Sequence, residues 1–500
     1  MTATRTATRP AAPVVIGVDS STQSTKAALV DAATGALLAV GRAPHTVTGS
    51  DGARESAPEA WWSALREAIA AALAEARVPA SAVTGIAVAG QQHGLVVLDD
   101  AGRPLRPALL WNDTRSAPQA AGLTAALGGP GPWLARTGSV PVASMTAAKW
   151  QWLRAHEPAV ADAAAAVRLP HDFLTERLSG VAVTDPGDAS GTCWYSTEKS
   201  AYDPELLDLL GLDPAVLPAV APSGATRVGT LTAAAARALG LPGTVAVAAG
   251  TGDNMAAAVG LGLGGAGLLD HPVVSLGTSG TVFAATRTRP AAPGLAGFAA
   301  ADGTYLPLGC TLNCTLAVDR FADLLGLDRE DAAPGDGVVV LPYLDGERTP
   351  DLPHATGLLT GLRHTTTPRA ILGAAYEGAA FTVLRALDEL LTACGLDPAD
   401  PRVRERPLRL IGGGARGRAW THTVRRLSGR PLVVPAATEL VALGAAALAA
   451  AAATGEDPVA LATAWGTGHG ETLPPVARDE ETWERISDVL DAAAPTSLLS

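Results

Sequence analysis

The chain has 500 residues, of which 48% are hydrophobic and 17% charged, and its formal net charge is −12. This length exceeds one ordinary hydrophobic core, so we expect two domains, and the composition is typical of a soluble globular protein. The acidic balance argues against nucleic acid and anionic membranes as partners. The lysines are few, Lys26, Lys149 and Lys199, so a phosphate ligand would have to be bound by backbone N–H groups and a metal ion.

The four cysteines, Cys193, Cys310, Cys314 and Cys394, are too few for a disulfide framework in a chain of this length. Residues 1–12 are predicted to be a disordered tail, and no apolar signal-peptide region precedes Asp19. The longest uncharged run, residues 440–455, is mostly Ala and Gly and too weakly apolar to span a bilayer. We therefore expect a cytoplasmic protein without a membrane partner.

In the first half of the chain, apolar runs predict strands at residues 14–18, 27–30, 86–89 and 95–98. A helix is expected near residues 56–78, because Ser56 and Glu59 have the spacing of a capping box and apolar residues recur at every fourth position after them. From about residue 115 to 220 the chain is Ala-rich, interrupted by Pro, and predicted to be mainly helical.

In the second half, strands are predicted at residues 245–249 and 408–411. Between them, a long helix begins at Thr367-Pro368 and ends at Gly395, with Thr as N-cap and Pro as first helical residue. Alternating strands and helices in two related halves predict an α/β protein. We place the domain boundary near residues 254–262, which gives an N-terminal domain of residues 13–256 and a C-terminal domain of residues 257–490.

Two similar segments lie about half a chain length apart. Each consists of an apolar strand, a turn of small hydroxylated residues and a second apolar strand. The first turn contains Ser21, Thr22 and Gln23 after Asp19, and the second contains Gly277, Thr278 and Ser279. Either turn alone is more simply explained as a turn that satisfies its own hydrogen bonds, but two such hairpins facing one another would bind the phosphates of a nucleotide from both sides. Asp19, at a strand end, could hold Mg²⁺ directly or through water.

Two further glycine-rich segments are candidate nucleotide sites. Gly413, Gly414 and Ala415 follow the strand at residues 408–411, where glycines let a ring or phosphate approach the backbone, so an adenosine contact and a plain tight turn are about equally favoured. The spacing from Gly260 to Gly265 matches a dinucleotide fingerprint, but a helical pattern rather than a strand precedes it, so we interpret it as a hinge or packing turn. The sequence has no P-loop motif.

Polar pairs follow two of the predicted strands and could hydrogen-bond to a polyhydroxylated substrate. These are Gln92-His93 and Asp253-Asn254, and Trp111 adds an aromatic face near a polar cluster. Taken alone, His93 is more simply a core histidine and Asp253 a helix N-cap. Asp185 and Asp188 are rival carboxylates for acid–base chemistry, although they have the character of turn residues.

At these positions the chain resembles the FGGY carbohydrate kinase family over nearly its whole length. The resemblance rests on the segments at residues 19–26, 90–94, 110–113, 149–153, 252–254, 275–280, 341–350 and 412–416. It implies an α/β, two-domain actin/hexokinase-like (ribonuclease H-like) ATPase fold with an interdomain cleft. Within the family, Gln92-His93-Gly94 and the Gly-Glu-Arg-Thr-Pro segment ending at Pro350 are most similar to members that phosphorylate xylulose.

The resemblance also implies site roles. Asp253 would act as general base on the terminal hydroxyl of the sugar, while Gln92, His93, Asn254 and Trp111 would bind the sugar. Asp19 would organise Mg²⁺ at the phosphates of ATP. The small-residue turns would donate hydrogen bonds to the phosphates, and Gly413–Ala415 would contact adenosine. The expected partners are a sugar and ATP, with a homodimer left open.

Three other functions remain compatible with parts of the sequence. The same chemistry could act on ribulose, gluconate or glycerol. The fold could instead serve an ATP-driven clamp or filament protein, although Gln92-His93 and Asp253-Asn254 have no use in such a protein. A nicotinamide oxidoreductase would rest on the weak Gly260–Gly265 match alone.

Overall fold

The computed structural model describes residues 12–265, 271–350, 352 and 354–493. Apart from residue 12, the predicted disordered tail lies outside these ranges. The strands, numbered in chain order, are β1 Val14–Ser20, β2 Ser24–Asp31, β3 Leu37–Pro44, β4 Glu55–Ser56, β5 Val83–Gly90, β6 Val96–Leu98, β7 Ala108–Leu109, β8 Ala166–Arg168, β9 Val183–Thr184, β10 Tyr195–Ser196, β11 Ala201–Tyr202, β12 Ala219–Val220, β13 Arg227–Thr230, β14 Ala246–Ala248, β15 Thr251–Gly252, β16 Val273–Leu276, β17 Gly280–Phe283, β18 Leu295–Ala299, β19 Tyr305–Thr311, β20 Val339–Leu341, β21 Leu358–Thr360, β22 Leu408–Ile411, β23 Leu432–Pro435 and β24 Gly470–Leu473.

The helices lie between and after these strands. They are α1 Pro58–Ala76, α2 Ala117–Ala126, α3 Pro130–Thr137, α4 Thr146–His156, α5 Pro158–Asp162, α6 Pro170–Ser179, α7 Pro186–Ala189, α8 Pro204–Leu210, α9 Ala233–Leu239, α10 Asp253–Gly260, α11 Thr315–Leu325, α12 Pro368–Ala393, α13 Pro401–Arg404, α14 Arg418–Ser428, α15 Leu440–Thr454, α16 Pro458–Trp465 and α17 Glu480–Ala493. Short 3₁₀ turns cover Ala80–Ala82, Ser190–Thr192, Pro214–Val216, Arg329–Asp331 and Gly413–Arg416.

Two mixed sheets organise the fold, as the two-domain prediction requires. The first has the order β13-β14-β5-β1-β2-β3, with β15 also paired to β5, and the second has the order β18-β19-β17-β16-β22-β23-β24. In each sheet the central strand, β1 or β16, pairs antiparallel with the next strand and parallel with a later one, β5 or β22. This shared pattern confirms that the two small-residue hairpins are equivalent structural units. The exact division into residues 13–256 and 257–490 stays a prediction.

Helix α15 lies in sequence between β23 and β24 of the second sheet but packs against the first sheet. Its Ala-rich surface lies on β1 and β5, where the glycines at positions 17 and 85 bring the backbones together; a Cβ at Gly17 would lie 1.9 Å from the Ala442 carbonyl oxygen. At Gly444 the same helix meets α10, and a Cβ there would lie 1.8 Å from the Ala256 carbonyl oxygen. Because side chains larger than hydrogen are excluded, α15 fixes β1 and α10 relative to one another.

The predicted long helix is confirmed as α12. The Thr367 hydroxyl accepts from the Ala370 N–H, Pro368 is the first helical residue, and Gly395 has a positive φ of 79° just beyond the end. By length and composition α12 could cross a bilayer, but 89% of that apolar window is buried inside the protein. It is therefore a core helix of the second sheet.

The capping box at Ser56 is wrong. Helix α1 begins at Pro58, its N-cap is Ala57, and no side chain caps it. Ser56 lies in β4 instead, where its hydroxyl donates to the Thr46 carbonyl and accepts from the Trp61 indole N–H. The Ser56 backbone pairs with Ala108, and its hydroxyl is occupied by the Thr46 carbonyl and the buried indole, so it does not cap α1. Gly260 ends α10, and the glycines up to 265 follow this helix rather than a strand, as expected for a packing turn.

Candidate active site

A cavity of about 240 Å³ lies where the equivalent strands of the two sheets end. Its wall includes residues from both hairpins and from the beginnings of α10 and α15, namely Asp19, Lys26, Asp253, Asn254, Ala257, Ser275, Phe283, Ile411, Gly412, Thr438, Glu439, Leu440 and Val441. The two hairpins therefore do face a common space, and Asp253 lies in its wall.

Asp19 is the last but one residue of β1 and is 4% exposed. Its Oδ1 accepts a 2.5 Å hydrogen bond from the Ser21 hydroxyl, and its Oδ2 lies 3.6 Å from the Lys26 ammonium. Burial raises the pKa of Asp19 above its ordinary value, and the Ser21 and Lys26 interactions oppose that rise. A buried carboxylate that faces a polar cavity would gain from a nearby cation.

Lys26 and Glu439 form an ion pair that sequence reasoning did not find. The Lys26 Nζ donates to Glu439 Oε2 at 2.7 Å, joining β2 to the start of α15, and both side chains are about a quarter exposed. The two residues are 413 positions apart. In the sequence, Lys26 stood out as one of three lysines and as the end of the segment 19–26 that carries the family resemblance, but neither feature indicated its partner.

Asp253 is the first residue of α10, and Gly252 rather than Asp253 occupies the N-cap position. Its Oδ1 accepts from the Asn254 backbone N–H at 2.9 Å, and the side chain is partly buried. Burial, together with the negative charges of Asp19 and Asp188, raises the pKa of Asp253 to about 7. A carboxyl with such a pKa can gain and lose a proton near neutral pH.

The two polar pairs meet beside Asp253. Asn254 Nδ2 donates to Gln92 Oε1 at 2.8 Å, and Gln92 Nε2 is buried without a hydrogen-bond partner in the described part of the chain. That amide is a free donor for a ligand oxygen.

His93 has a positive φ of 66°, and its Nδ1–H donates to the Gly191 carbonyl at 2.9 Å. Burial and the positive charges of Lys149 and Arg348 lower the pKa of His93 to about 3, so the ring is neutral. With Nδ1 protonated, Nε2 is left as an acceptor suited to a hydroxyl group.

Trp111 lies at the mouth of the first hairpin and is 43% exposed. Its indole N–H donates to the Thr22 hydroxyl at 3.0 Å, so it braces the turn that contains Ser21 and the exposed Gln23. Whether Trp111 also contacts a sugar stays a prediction.

The second turn is tied to α11. The Thr315 N–H and hydroxyl donate to the Gly277 carbonyl at 3.1 and 2.8 Å, and the Cys314 N–H donates to the Thr278 carbonyl at 3.3 Å. With these carbonyls directed towards α11, Thr278 and Ser279 remain at the surface of the turn. The Thr278 hydroxyl is therefore available to an oxyanion, and the Ser279 hydroxyl interacts with the Cys310 thiol.

Two larger cavities continue from the first, because neighbouring cavities share wall residues. One of about 370 Å³ shares Ile411, Gly412, Thr438 and Leu440 with the first and is also lined by Gly413 and Ala415. Another of about 790 Å³ shares Ala415, Arg416, Val434 and Pro435 with the second. Gly414 is buried against Leu276 and Trp420 rather than lining either cavity. This series has the extent that a nucleoside triphosphate needs.

The residues at the first cavity suit Mg²⁺. Asp19, Asp253 and Glu439 offer carboxylate oxygens, and the raised pKa values of Asp19 and Asp253 indicate that nearby positive charge would be favourable. Within the described ranges no three His, Cys, Asp or Glu side chains are grouped as a complete metal site. Mg²⁺ is commonly held by one or two carboxylates together with phosphate oxygens and water, so the fit is with a nucleotide-bound ion.

A buried charged cluster lies beneath this site and was also missed. His171, on α6, is fully buried: its Nδ1 lies 2.7 Å from Asp188 Oδ2, and its Nε2 lies 3.2 Å from Asp172 Oδ1 and 3.8 Å from Asp185 Oδ1. Asp185 caps α7 and accepts from the Thr251 hydroxyl at 2.6 Å, two residues before Asp253. Asp185 is thus a turn residue, as its sequence context suggested, and Asp188 is half of an ion pair.

The comparisons with known proteins agree with this geometry. Residues 14–260 match the N-terminal domain and residues 273–453 the C-terminal domain of the FGGY family of carbohydrate kinases. The chain is 58% identical to xylulose kinase of Streptomyces coelicolor over 97% of each chain.

Solved structures agree as well. The structure superposes on xylulose kinase of Bifidobacterium adolescentis with a TM-score of 0.80 at 32% identity, covering 95% of this chain and 99% of that one. For xylulose kinase of Rhodospirillum rubrum the TM-score is 0.83 at 27% identity, covering 96% and 99%. The chain belongs to the FGGY family of carbohydrate kinases.

Proposed function

We propose that this protein transfers the γ-phosphoryl group of ATP to the terminal hydroxyl of D-xylulose, giving D-xylulose 5-phosphate and ADP. The observation that carries the proposal is the position of Asp253, in the wall of a cavity that both small-residue hairpins face. The substrate is supported by the 58% identity to a xylulose kinase over 97% of the chain.

In the proposed reaction the terminal hydroxyl oxygen forms a bond to the γ-phosphorus while the bond from that phosphorus to the β–γ bridging oxygen breaks. The electron pair of the broken bond leaves with ADP, and the hydroxyl proton passes to the Asp253 carboxylate. The raised pKa of Asp253 suits this step, because about half of the carboxyls are ionised near pH 7.

The sugar would be positioned by groups that the site leaves available. Gln92 Nε2 is an unpartnered buried donor in the described chain, and His93 Nε2 is an acceptor on a neutral ring. Together they offer one donor and one acceptor beside Asp253 and Asn254, which matches neighbouring hydroxyl and carbonyl oxygens of a ketose. Trp111 would cover the outer side of the bound sugar.

ATP would run along the three cavities, with its phosphates between the turn of Ser21, Thr22 and Gln23 and the turn of Gly277, Thr278 and Ser279. Its adenosine would lie near Gly413, Gly414 and Ala415. Mg²⁺, held by Asp19 directly or through water, would supply charge neutralisation at the β- and γ-phosphates.

The decisive experiment measures ADP release with xylulose, ribulose, gluconate and glycerol in parallel. Xylulose should give a kcat/KM at least about tenfold above the others, since a site built around specific hydroxyls rejects analogues that leave its polar groups unpaired. A tenfold preference for another acceptor would contradict the assignment of xylulose as the substrate. ATP turnover that none of the four acceptors stimulates would favour an ATP-driven clamp or filament protein.

Location and assembly are part of the proposal. Among the described residues no cysteine forms a disulfide, which supports a reducing cytoplasm as the compartment. A homodimer is proposed from the family resemblance, and sedimentation of the purified protein at micromolar concentration tests it.

A further inference from the structure

Phosphoryl transfer concentrates negative charge on the moving group, and this chain has few lysines to offset it. Lys26 is already paired with Glu439 at 2.7 Å and lies 3.6 Å from Asp19. Lys149 is buried and donates to the carbonyls of Ala143 and Ser144. Lys199 lies near Asp203. None of the three is therefore an uncommitted cation at the second hairpin turn.

Arg348 is held beside that turn through its neighbour Glu347. Glu347 is 1% exposed, and its carboxylate accepts from the Leu312 N–H at 2.6 Å, the Asn313 N–H at 3.2 Å and the Asn313 side-chain amide at 3.1 Å. It also accepts from the Arg348 N–H at 2.8 Å. A buried carboxylate with four N–H donors fixes the local backbone firmly.

The segment to which Glu347 is bound is the same one that holds the phosphate turn. Residues 314 and 315, directly after Asn313, donate to the carbonyls of Thr278 and Gly277. Arg348 and the turn of Gly277, Thr278 and Ser279 are therefore two sides of one hydrogen-bonded unit within the second sheet's domain.

The Arg348 guanidinium acts on groups of both sheets' domains. It is partly exposed and interacts with the Cys310 thiol, which also interacts with the Ser279 hydroxyl; burial raises the pKa of Cys310, and both partners oppose that rise. The same guanidinium contributes to the lowered pKa of His93, a residue of the proposed sugar pocket. Among the described residues no carboxylate lies within 4.0 Å of it.

We propose that Arg348 is a catalytic residue that binds the oxygens of the γ-phosphoryl group as it moves from ATP to the sugar. Hydrogen bonds through Glu347 and Asn313 fix the Arg348 backbone beside the second phosphate turn, and the guanidinium interacts with the Cys310 thiol next to that turn. This inference rests on the proposed kinase reaction, and the wild-type assay above tests that reaction separately.

The guanidinium suits the task better than a lysine would. Its planar pair of N–H donors matches two phosphoryl oxygens in a bidentate arrangement that an ammonium group does not offer. The phosphorus–oxygen bonds formed and broken, and the proton transfer to Asp253, are unchanged; Arg348 stabilises charge and exchanges no proton.

The test compares Arg348→Met, Arg348→Lys and the control Arg369→Met, whose parent side chain is 61% exposed and 3.5 Å from Asp331. Arg348→Met should lower kcat by about 10²–10³-fold, as loss of one transition-state donor does, with KM for xylulose changed by less than about threefold because sugar contacts remain. Arg348→Lys should recover part of kcat. Arg369→Met should match the wild type.

Two further measurements keep the outcome decisive. Added methylguanidinium should restore part of the kcat of an Arg348→Ala variant, and thermal unfolding should show that each variant folds. A raised KM for xylulose with unchanged kcat would overturn the proposal by making Arg348 a sugar-binding residue. A folded Arg348→Met variant with near-wild-type kcat, while the wild type phosphorylates xylulose, would overturn it directly.

Discussion

The buried imidazole of His171 predicts a specific pH dependence of stability that Asp188 controls. The carboxylates of Asp172, Asp188 and Asp185 outweigh the effect of burial and raise the pKa of His171 to about 9. A raised folded-state pKa stabilises the fold fully below the unfolded value of about 6.5, and this contribution is lost as pH rises through 9. The net shift of about 2.5 pKa units corresponds to about 3 kcal/mol, and it is the combined effect of the three carboxylates less the effect of burial.

The perturbation is Asp188→Asn, which removes the carboxylate at 2.7 Å from Nδ1 and keeps the shape of the side chain. The free energy of unfolding is measured by urea titration at pH 6.5 and pH 9.5 for the variant and the wild type. The stability advantage of the wild type over the variant should shrink by up to about 3 kcal/mol across this window.

The comparison of two proteins is needed because another buried base acts in the opposite direction. Burial lowers the pKa of Lys149 to about 7, so its contribution to stability rises with pH above 7. Lys149 is present in both proteins and cancels in the difference. A difference that is constant or grows between pH 6.5 and pH 9.5 would refute the assignment of a charged imidazole to His171.

Three other changes test the site and its supports. Asp253→Asn should lower kcat by about two or more orders of magnitude while xylulose binding, measured calorimetrically, stays largely intact; near-normal turnover would remove Asp253 as the base. Glu439→Gln should cost less than about 1 kcal/mol of stability, because its ion pair with Lys26 is partly exposed. It should raise KM for ATP and leave KM for xylulose unchanged. An equal rise in both KM values would show that the Lys26–Glu439 pair does not act on the nucleotide in particular. Gly444→Ala should cost more than about 1 kcal/mol in urea unfolding because its Cβ would meet a backbone oxygen at 1.8 Å, whereas Gly243→Ala, with no atom within 4 Å of the added carbon, should be tolerated; equal stability of the two would refute the packing argument.

Sequence reasoning was most successful where local patterns repeat. The two strand–turn–strand units were identified from their own residues, and α12 was placed at both ends because Thr367, Pro368 and Gly395 act within one helical turn of each terminus. The capping box failed because Ser56 is used by a sheet pairing and by Trp61, which local spacing cannot reveal.

The parts of the site that were missed all depend on distant residues meeting. Lys26 and Glu439 are 413 positions apart, and His171 meets three aspartates only after α6 and α7 have packed. Arg348 lay within a segment that carried the family resemblance, but its direction depends on how Glu347 binds Asn313. Such contacts follow from the tertiary fold and have no signature in spacing.

The crossing of α15 back onto the first sheet has a consequence for how this chain matures during synthesis. Strands β1 and β5 leave the ribosome more than 350 residues before their covering helix does. Until α15 has been synthesised, the face of β1 and β5 that it covers stays exposed, and a chain released before residue 440 would be prone to aggregation. Productive maturation is thus tied to completion of nearly the whole polypeptide, and neither half is expected to survive alone as an independent unit.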